Sequence, residues 1–260
     1  MRRLCLIALC LLSILALAGC GDDPRPDLRH LYEMGEVNAE QPPLIVIPGI
    51  LGSKLRDAKT GRPLWPGPAW KLFFSNYRDL ALEIDPLMLE PMPSDIEAYD
   101  ISEEGLGADF YGQLVMTLED YGGYVRGTPG QKVSTRGRRY YLFPYDWRQD
   151  NVVSARRLDA LIEQIRKDYD DPELKVDIVA HSMGGLITRY YLRYGTRDVL
   201  DGNDFPVSGH GESRIRTVIL LGTPNLGSTR SLHTFLRGAR IVFGRVPSEV
   251  LATMPSMYQL

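Results

Sequence analysis

Residues 175–194, K-V-D-I-V-A-H-S-M-G-G-L-I-T-R-Y-Y-L-R-Y, constrain the fold of this chain more than any other stretch. Residues 176–180 form an apolar run broken only by Asp177, the pattern of a buried strand. His181-Ser182-Met183-Gly184-Gly185 follows, and then Leu186, Ile187, Tyr190, Tyr191 and Tyr194 recur at helical spacing. The pattern predicts a strand, a tight turn with Ser182 at its apex, and a helix. Such a turn strains the backbone of its central residue, so the positions two before and two after it must be small. Here they are Ala180 and Gly184.

A strand, a Ser-bearing turn and a helix in this order make the nucleophile elbow of α/β-hydrolases. The pattern is A-x-S-x-G where G-x-S-x-G is commoner, and Ala is small enough to fit. Upstream, Leu44-Ile45-Val46-Ile47 reads as a short buried strand ended by Pro48-Gly49. In that fold the loop after an early central strand supplies one backbone N–H to the oxyanion hole. Ile50 is the candidate donor, and Leu51 beside it is a candidate substrate contact. Taken alone, Pro48-Gly49 is a generic turn signal, and the elbow downstream is what gives it meaning.

The rest of the chain fits an α/β plan. Residues 56–107 are punctuated by Gly and Pro and carry Trp65, Trp70, Phe73, Phe74, Leu87, Met88 and Leu89. They read as an inserted cap or lid, with Trp65 and Trp70 as candidate substrate contacts; the alternative is an irregular segment whose aromatics pack on the core. Residues 109–121 carry apolar side chains at helical spacing, stopped by Gly122-Gly123. A strand is expected over 139–143, a helix over 153–169, a polar loop over 198–213 and a strand over 217–221. Alternating strands and helices imply a mostly parallel sheet with right-handed crossovers and helices on both faces.

At 44% hydrophobic and 24% charged, the 260-residue chain can bury a sizeable core, and its net charge of −3 suggests no nucleic-acid partner. Met1-Arg2-Arg3, the apolar residues 4–17 and Leu17-Ala18-Gly19-Cys20 resemble a bacterial lipoprotein signal. The expected organisation is a signal over 1–19, a lipidated Cys20 with a tether over 20–41, and an α/β-hydrolase domain over 42–260. A plain secretory signal containing a Cys is the alternative. The anchor would place the chain in a bacterial cell envelope, on the inner or the outer membrane. Cys5 and Cys10 would leave with the signal, so no disulfide is expected.

Five motifs, in this order and spacing, resemble the lecithin:cholesterol acyltransferase family: Pro48-Gly49-Ile50-Leu51-Gly52-Ser53, Gly122-Gly123-Tyr124, Pro144-Tyr145-Asp146-Trp147-Arg148, Ala180-His181-Ser182-Met183-Gly184-Gly185 and Gly222-Thr223-Pro224-Asn225-Leu226-Gly227-Ser228. The resemblance implies a lipid acyl-ester hydrolase or O-acyltransferase, a lipase or phospholipase type of enzyme acting on lipid or phospholipid at a membrane. It implies Ser182 as nucleophile and the backbone N–H groups of Met183 and Ile50 as oxyanion donors. The Tyr145-Asp146-Trp147-Arg148 segment reads as structural, with Asp146 and Arg148 able to form a buried ion pair near the site; catalysis by Asp146 is the alternative. No motif calls for a metal or other cofactor, and serine acyl transfer needs none.

The order in this fold is Ser, then acid, then His. The four histidines are His30, His181, His210 and His233, and the one acid after Leu221 is Glu249, with no His beyond it. His181 should point away from the Ser hydroxyl, and His233 lies in a segment that resembles a second lid. The triad therefore cannot be completed from these residues. The expectations are a fragment of a longer enzyme, a membrane-anchored lipid-binding pseudo-enzyme, or a base at His233 or His210 in an unusual position.

Overall fold

The computed structural model describes residues 41–260 apart from 106, 107, 110, 203 and 242. The expected signal, Cys20 and most of the expected tether lie outside the described residues. The strands in chain order are β1 (Leu44–Ile47), β2 (Ser53–Asp57), β3 (Pro63–Trp65), β4 (Ile96–Ile101), β5 (Glu104–Gly105), β6 (Ala108–Asp109), β7 (Val125–Arg126), β8 (Arg139–Leu142), β9 (Val176–His181), β10 (Ile215–Leu221), β11 (Ala239–Ile241) and β12 (Gly244–Val246). The α-helices are α1 (Ala69–Phe74), α2 (Gly112–Met116), α3 (Asn151–Asp168), α4 (Met183–Tyr194), α5 (Thr229–Arg237) and α6 (Ser248–Leu251).

Five strands form one parallel sheet in the order β10-β9-β1-β8-β7. This is an α/β-hydrolase-like fold. Strand β1 lies between β8 and β9, with Leu44 opposite both Tyr140 and Asp177. The chain leaves β8 on one side of β1, runs through α3 and returns as β9 on the other. Loops from the carboxyl ends of β1 and β9 therefore emerge side by side, where open α/β sheets place their ligands.

Alternation along the strands sorts the core into two faces. Ile45, Ile47, Ile178 and Ala180 face α3 and α4, packing with Ala155, Leu158, Ile162, Ile165, Ile187 and Tyr191. Leu44, Val46, Tyr140, Leu142 and Val179 face Tyr111, Val115 and Leu118. Helix α3 is capped by Asp150, whose carboxylate accepts the Val152 N–H. The helix expected over 109–121 is split: α2 ends at Met116 and a π turn carries Thr117–Tyr121 to the glycines.

The helix on that second face does not reach β10. There Ile219 is 51% exposed and Leu221 40% exposed. Among the described residues β10 has one sheet neighbour, β9, so its other edge is open.

The inserted segment is more regular than its composition suggests. Strands β3, β2 and β4 make a separate antiparallel sheet, which begins at Ser53, and α1 follows β3. Arg148 ties this segment down. Its guanidinium forks onto Asp146 at 2.8 and 2.7 Å and donates to the Leu80 carbonyl and the Ser94 hydroxyl, both at 3.2 Å. The last described residues are tied in as well, since Ser256 Oγ donates to the Trp147 carbonyl at 2.6 Å.

Candidate active site

Ser182 sits between β9 and α4 with φ 51° and ψ −121°, a conformation that costs a non-Gly residue energy and needs surrounding structure to hold it. Its own N–H donates to the Leu221 carbonyl at 2.8 Å, which pins the turn to the end of β10. The small neighbours are needed sterically. A methyl on Gly184 would lie 2.5 Å from the Pro48 carbonyl oxygen, and one on Gly185 would collide with the Thr223 hydroxyl. Met183 starts α4, and the first amides of a helix have no intrahelical acceptor. Among the described residues the Ser182 hydroxyl has no hydrogen-bond partner.

The Pro48–Ser53 loop is held atom by atom. Tyr145 Oη donates to the Pro48 carbonyl at 2.9 Å, and the Gly49 N–H donates to Tyr111 Oη at 2.8 Å. Gly52 N–H closes onto the Gly49 carbonyl at 3.0 Å. Trp65 Nε1 donates to the Leu51 carbonyl at 2.8 Å, and Trp147 Nε1 to the Ser53 carbonyl at 3.1 Å. These bonds hold Leu51 in the left-handed region, φ 63°, which side-chain-bearing residues rarely adopt. The amides of Ile50 and Leu51 are the ones this scheme leaves over.

Ile50, Leu51 and Ser182 line one cavity of about 580 Å³. Trp147, Met257 and Leu260 form part of its apolar wall, and Arg230, His233 and Thr234 from α5 close another side. Its size is that of a small-molecule site. Trp65 does not line it. That side chain is 1% exposed, packed edge-on to Trp147, and reaches the site only through its bond to Leu51. Trp70 is 62% exposed and lines a different cavity, beside Lys54, Arg62 and Tyr99.

The described histidines are separated. His210 Nε2 lies 2.9 Å from Asp159 Oδ1, which also accepts from Tyr191 Oη, on the helix layer away from the cavity. His181 turns to the opposite side of the turn from Ser182. Its Nδ1 is 2.9 Å from Tyr111 Oη, and burial of part of the ring lowers its pKa below 6.5, although the residue keeps surface in solvent. His233 shares the cavity with Ser182. Among the described residues, no group of three or more His, Cys, Asp or Glu comes together to hold a metal ion.

A family model described as "Lecithin:cholesterol acyltransferase" matches residues 135–252, which span β8, the elbow, β10 and α5. The "Lysosomal phospholipase A and acyltransferase" of Bos taurus is 24% identical over 222 residues, 76% of this chain and 51% of that protein. The Homo sapiens protein of the same description is 25% identical over 222 residues, covering 76% and 50%. Over residues 135–252 this chain is similar to the lecithin:cholesterol acyltransferase family.

The Canis lupus familiaris relative is 35% identical over 101 residues, 38% of this chain and 21% of the relative. This chain spans about half the length of the cattle and human proteins it matches. A solved structure described as "The crystal structure of Tle4-Tli4 complex" aligns with a TM-score of 0.47 and 19% identity, covering 85% of this chain and 54% of that one.

Tyr111 is the site residue that sequence reasoning passed over. It falls within 109–121, where helical spacing gives it no role, and it stands just before the first turn of α2. Nothing in that period signals a hydroxyl aimed at two loops.

Proposed function

We propose that this chain acts as a lipid acyl-ester hydrolase or O-acyltransferase, with Ser182 as nucleophile. The observation that carries the reading is the strained Ser182, with no partner for its hydroxyl, sharing one cavity with the loop residues Ile50 and Leu51. Ser182 Oγ would attack the ester carbonyl, the C–O bond to the leaving alcohol would break, and the alcohol would depart with the proton. Water or a lipid hydroxyl would then take the acyl group. The Ile50 and Met183 amides would meet the developing oxyanion, and such a donor contributes about 3–4 kcal/mol to the transition state. The apolar wall suits an acyl chain, and the relatives' description as phospholipase A and acyltransferase supports a lipid ester. The sequence Leu17-Ala18-Gly19-Cys20 supports a lipid anchor that would hold the site in the cell envelope beside such a substrate.

The test is a fluorophosphonate probe, which reacts with activated serines. Labelling of the folded wild-type chain that disappears in Ser182→Ala supports the reading; folded wild-type protein that takes no label overturns it.

A second reading is a lipid-binding protein without catalysis. It is favoured by one observation: no His–carboxylate pair stands at Ser182 among the described residues, and the pair that exists, His210 with Asp159, lies elsewhere. Binding of a non-hydrolysable phospholipid by unlabelled protein would select it.

A further inference from the structure

Tyr111 joins the two halves of the site. Its side chain is 5% exposed and its ring meets His181 edge-on at 5.8 Å. The hydroxyl has two partners: the Gly49 N–H at 2.8 Å and His181 Nδ1 at 2.9 Å. Gly49 precedes Ile50 in the oxyanion loop, and His181 precedes Ser182 in the elbow. There is no slack around this oxygen, because a methyl on Gly52 would stand 2.9 Å from it.

The donor arithmetic assigns the protons. A backbone N–H can only donate, so the Tyr111 oxygen accepts from Gly49. The phenol proton is then free to donate, and Nδ1 of His181 is the remaining partner. His181 Nδ1 is therefore an acceptor, and the neutral ring carries its proton on Nε2. Burial agrees with this assignment, since it pushes the Tyr111 pKa up to about 12 and keeps the hydroxyl protonated.

We propose that Tyr111 is the positioning residue of this active site: its hydroxyl, accepting from Gly49 and donating to His181, fixes the oxyanion loop against the nucleophile turn. Tyr111 touches no substrate. It acts through the register of Ile50 relative to Ser182. The same bond orients His181 away from Ser182 and holds it in the tautomer that cannot donate from Nδ1. The inference rests on the serine reading above for its catalytic consequence, and on the hydrogen bonds alone for its structural content.

The experiment uses the full chain with ¹⁵N-labelled histidine. In the wild type, the His181 nitrogen shifts should show a proton on Nε2 and a hydrogen-bonded acceptor at Nδ1. In Tyr111→Phe, Nδ1 should lose that bond, amide exchange over residues 49–52 should speed up, fluorophosphonate labelling of Ser182 should slow about tenfold, and Tm should fall by a few degrees because the buried Gly49 N–H loses its acceptor. Labelling and exchange at wild-type rates in Tyr111→Phe overturn the proposal, as does a wild-type His181 protonated at Nδ1. Should Tyr111→Phe fail to fold, His181→Leu removes only the acceptor of the phenol proton: faster exchange over 49–52 then supports the proposal, and exchange at the wild-type rate overturns it. A folded wild type that takes no label overturns the serine reading, while tautomer and exchange still decide the role of Tyr111.

Discussion

Gly49 and Ser182 approach so closely that a methyl group on Gly49 would stand 2.8 Å from the Ser182 Cβ. The contact follows from the sheet order. Strands β1 and β9 are neighbours, so the loop leaving one and the turn leaving the other share a wall. Gly49→Ala must push them apart, since the added carbon would also stand 3.0 Å from His181 Nδ1. We expect a loss of about 1–3 kcal/mol in urea unfolding, together with slower fluorophosphonate labelling. A variant with unchanged stability and labelling would show that the loop yields freely.

Arg148 and Asp146 have side chains 0% and 7% exposed, and the guanidinium also reaches the inserted segment at Leu80 and Ser94. Arg148→Leu leaves a buried carboxylate without its partner, which costs about 3–5 kcal/mol. Denaturant unfolding measures this. The double variant Asp146→Leu with Arg148→Leu should recover part of the loss, because no lone charge then remains.

His181 has a folded pKa held below 6.5 by burial of part of its ring. As pH falls through 6.5, the unfolded chain takes up the proton before the folded one does. The contribution of His181 is therefore fully present above that pH and is lost as pH falls toward the lower folded value. The denaturation midpoint of the wild type should drop across this window, and His181→Gln should flatten the drop. Superimposable pH curves for the two proteins would contradict the assignment.

Phe73 stacks on Phe243 at 5.4 Å and meets Phe74 at 6.2 Å, which joins the end of α1 to the β11–β12 turn. All three are exposed, Phe74 at 83% and Phe243 at 78%. We expect this cluster to enter a lipid surface. In a Cys20→Ser background, which would lack the proposed anchor, replacing Phe74 or Phe243 by Ser should lower partition into phosphatidylcholine vesicles about tenfold each, from the apolar burial lost. Sedimentation with vesicles measures it, and unchanged partition of the double variant would rule this face out.

What the sequence shows plainly is short-range. The strand, turn and helix around Ser182 are written in twenty consecutive residues, and their periods change from one element to the next. Strands β1 and β8 are legible for the same reason. The antiparallel sheet of the inserted segment is not, because β2 and β4 pair across about forty residues, from Ser53 opposite Ile101 to Asp57 opposite Ile96, and their side chains mix polar with apolar. Trp65 illustrates the limit at the site. Its bulk among prolines suggests a lid, whereas its value lies in one indole N–H that meets Leu51. The two bonds of the Tyr111 hydroxyl depend on loops 62 and 70 residues away in the sequence.

The open edge of β10 has a practical meaning for handling the chain. Among the described residues β10 pairs on one side only, and a strand edge without a neighbour is a template for another strand. Copies of this chain offer each other that template, so dilution becomes an experimental variable. Crowded preparations would join sheet to sheet at β10, the strand whose Leu221 carbonyl holds the Ser182 turn. Reactivity measured in such preparations would then report on association as much as on chemistry.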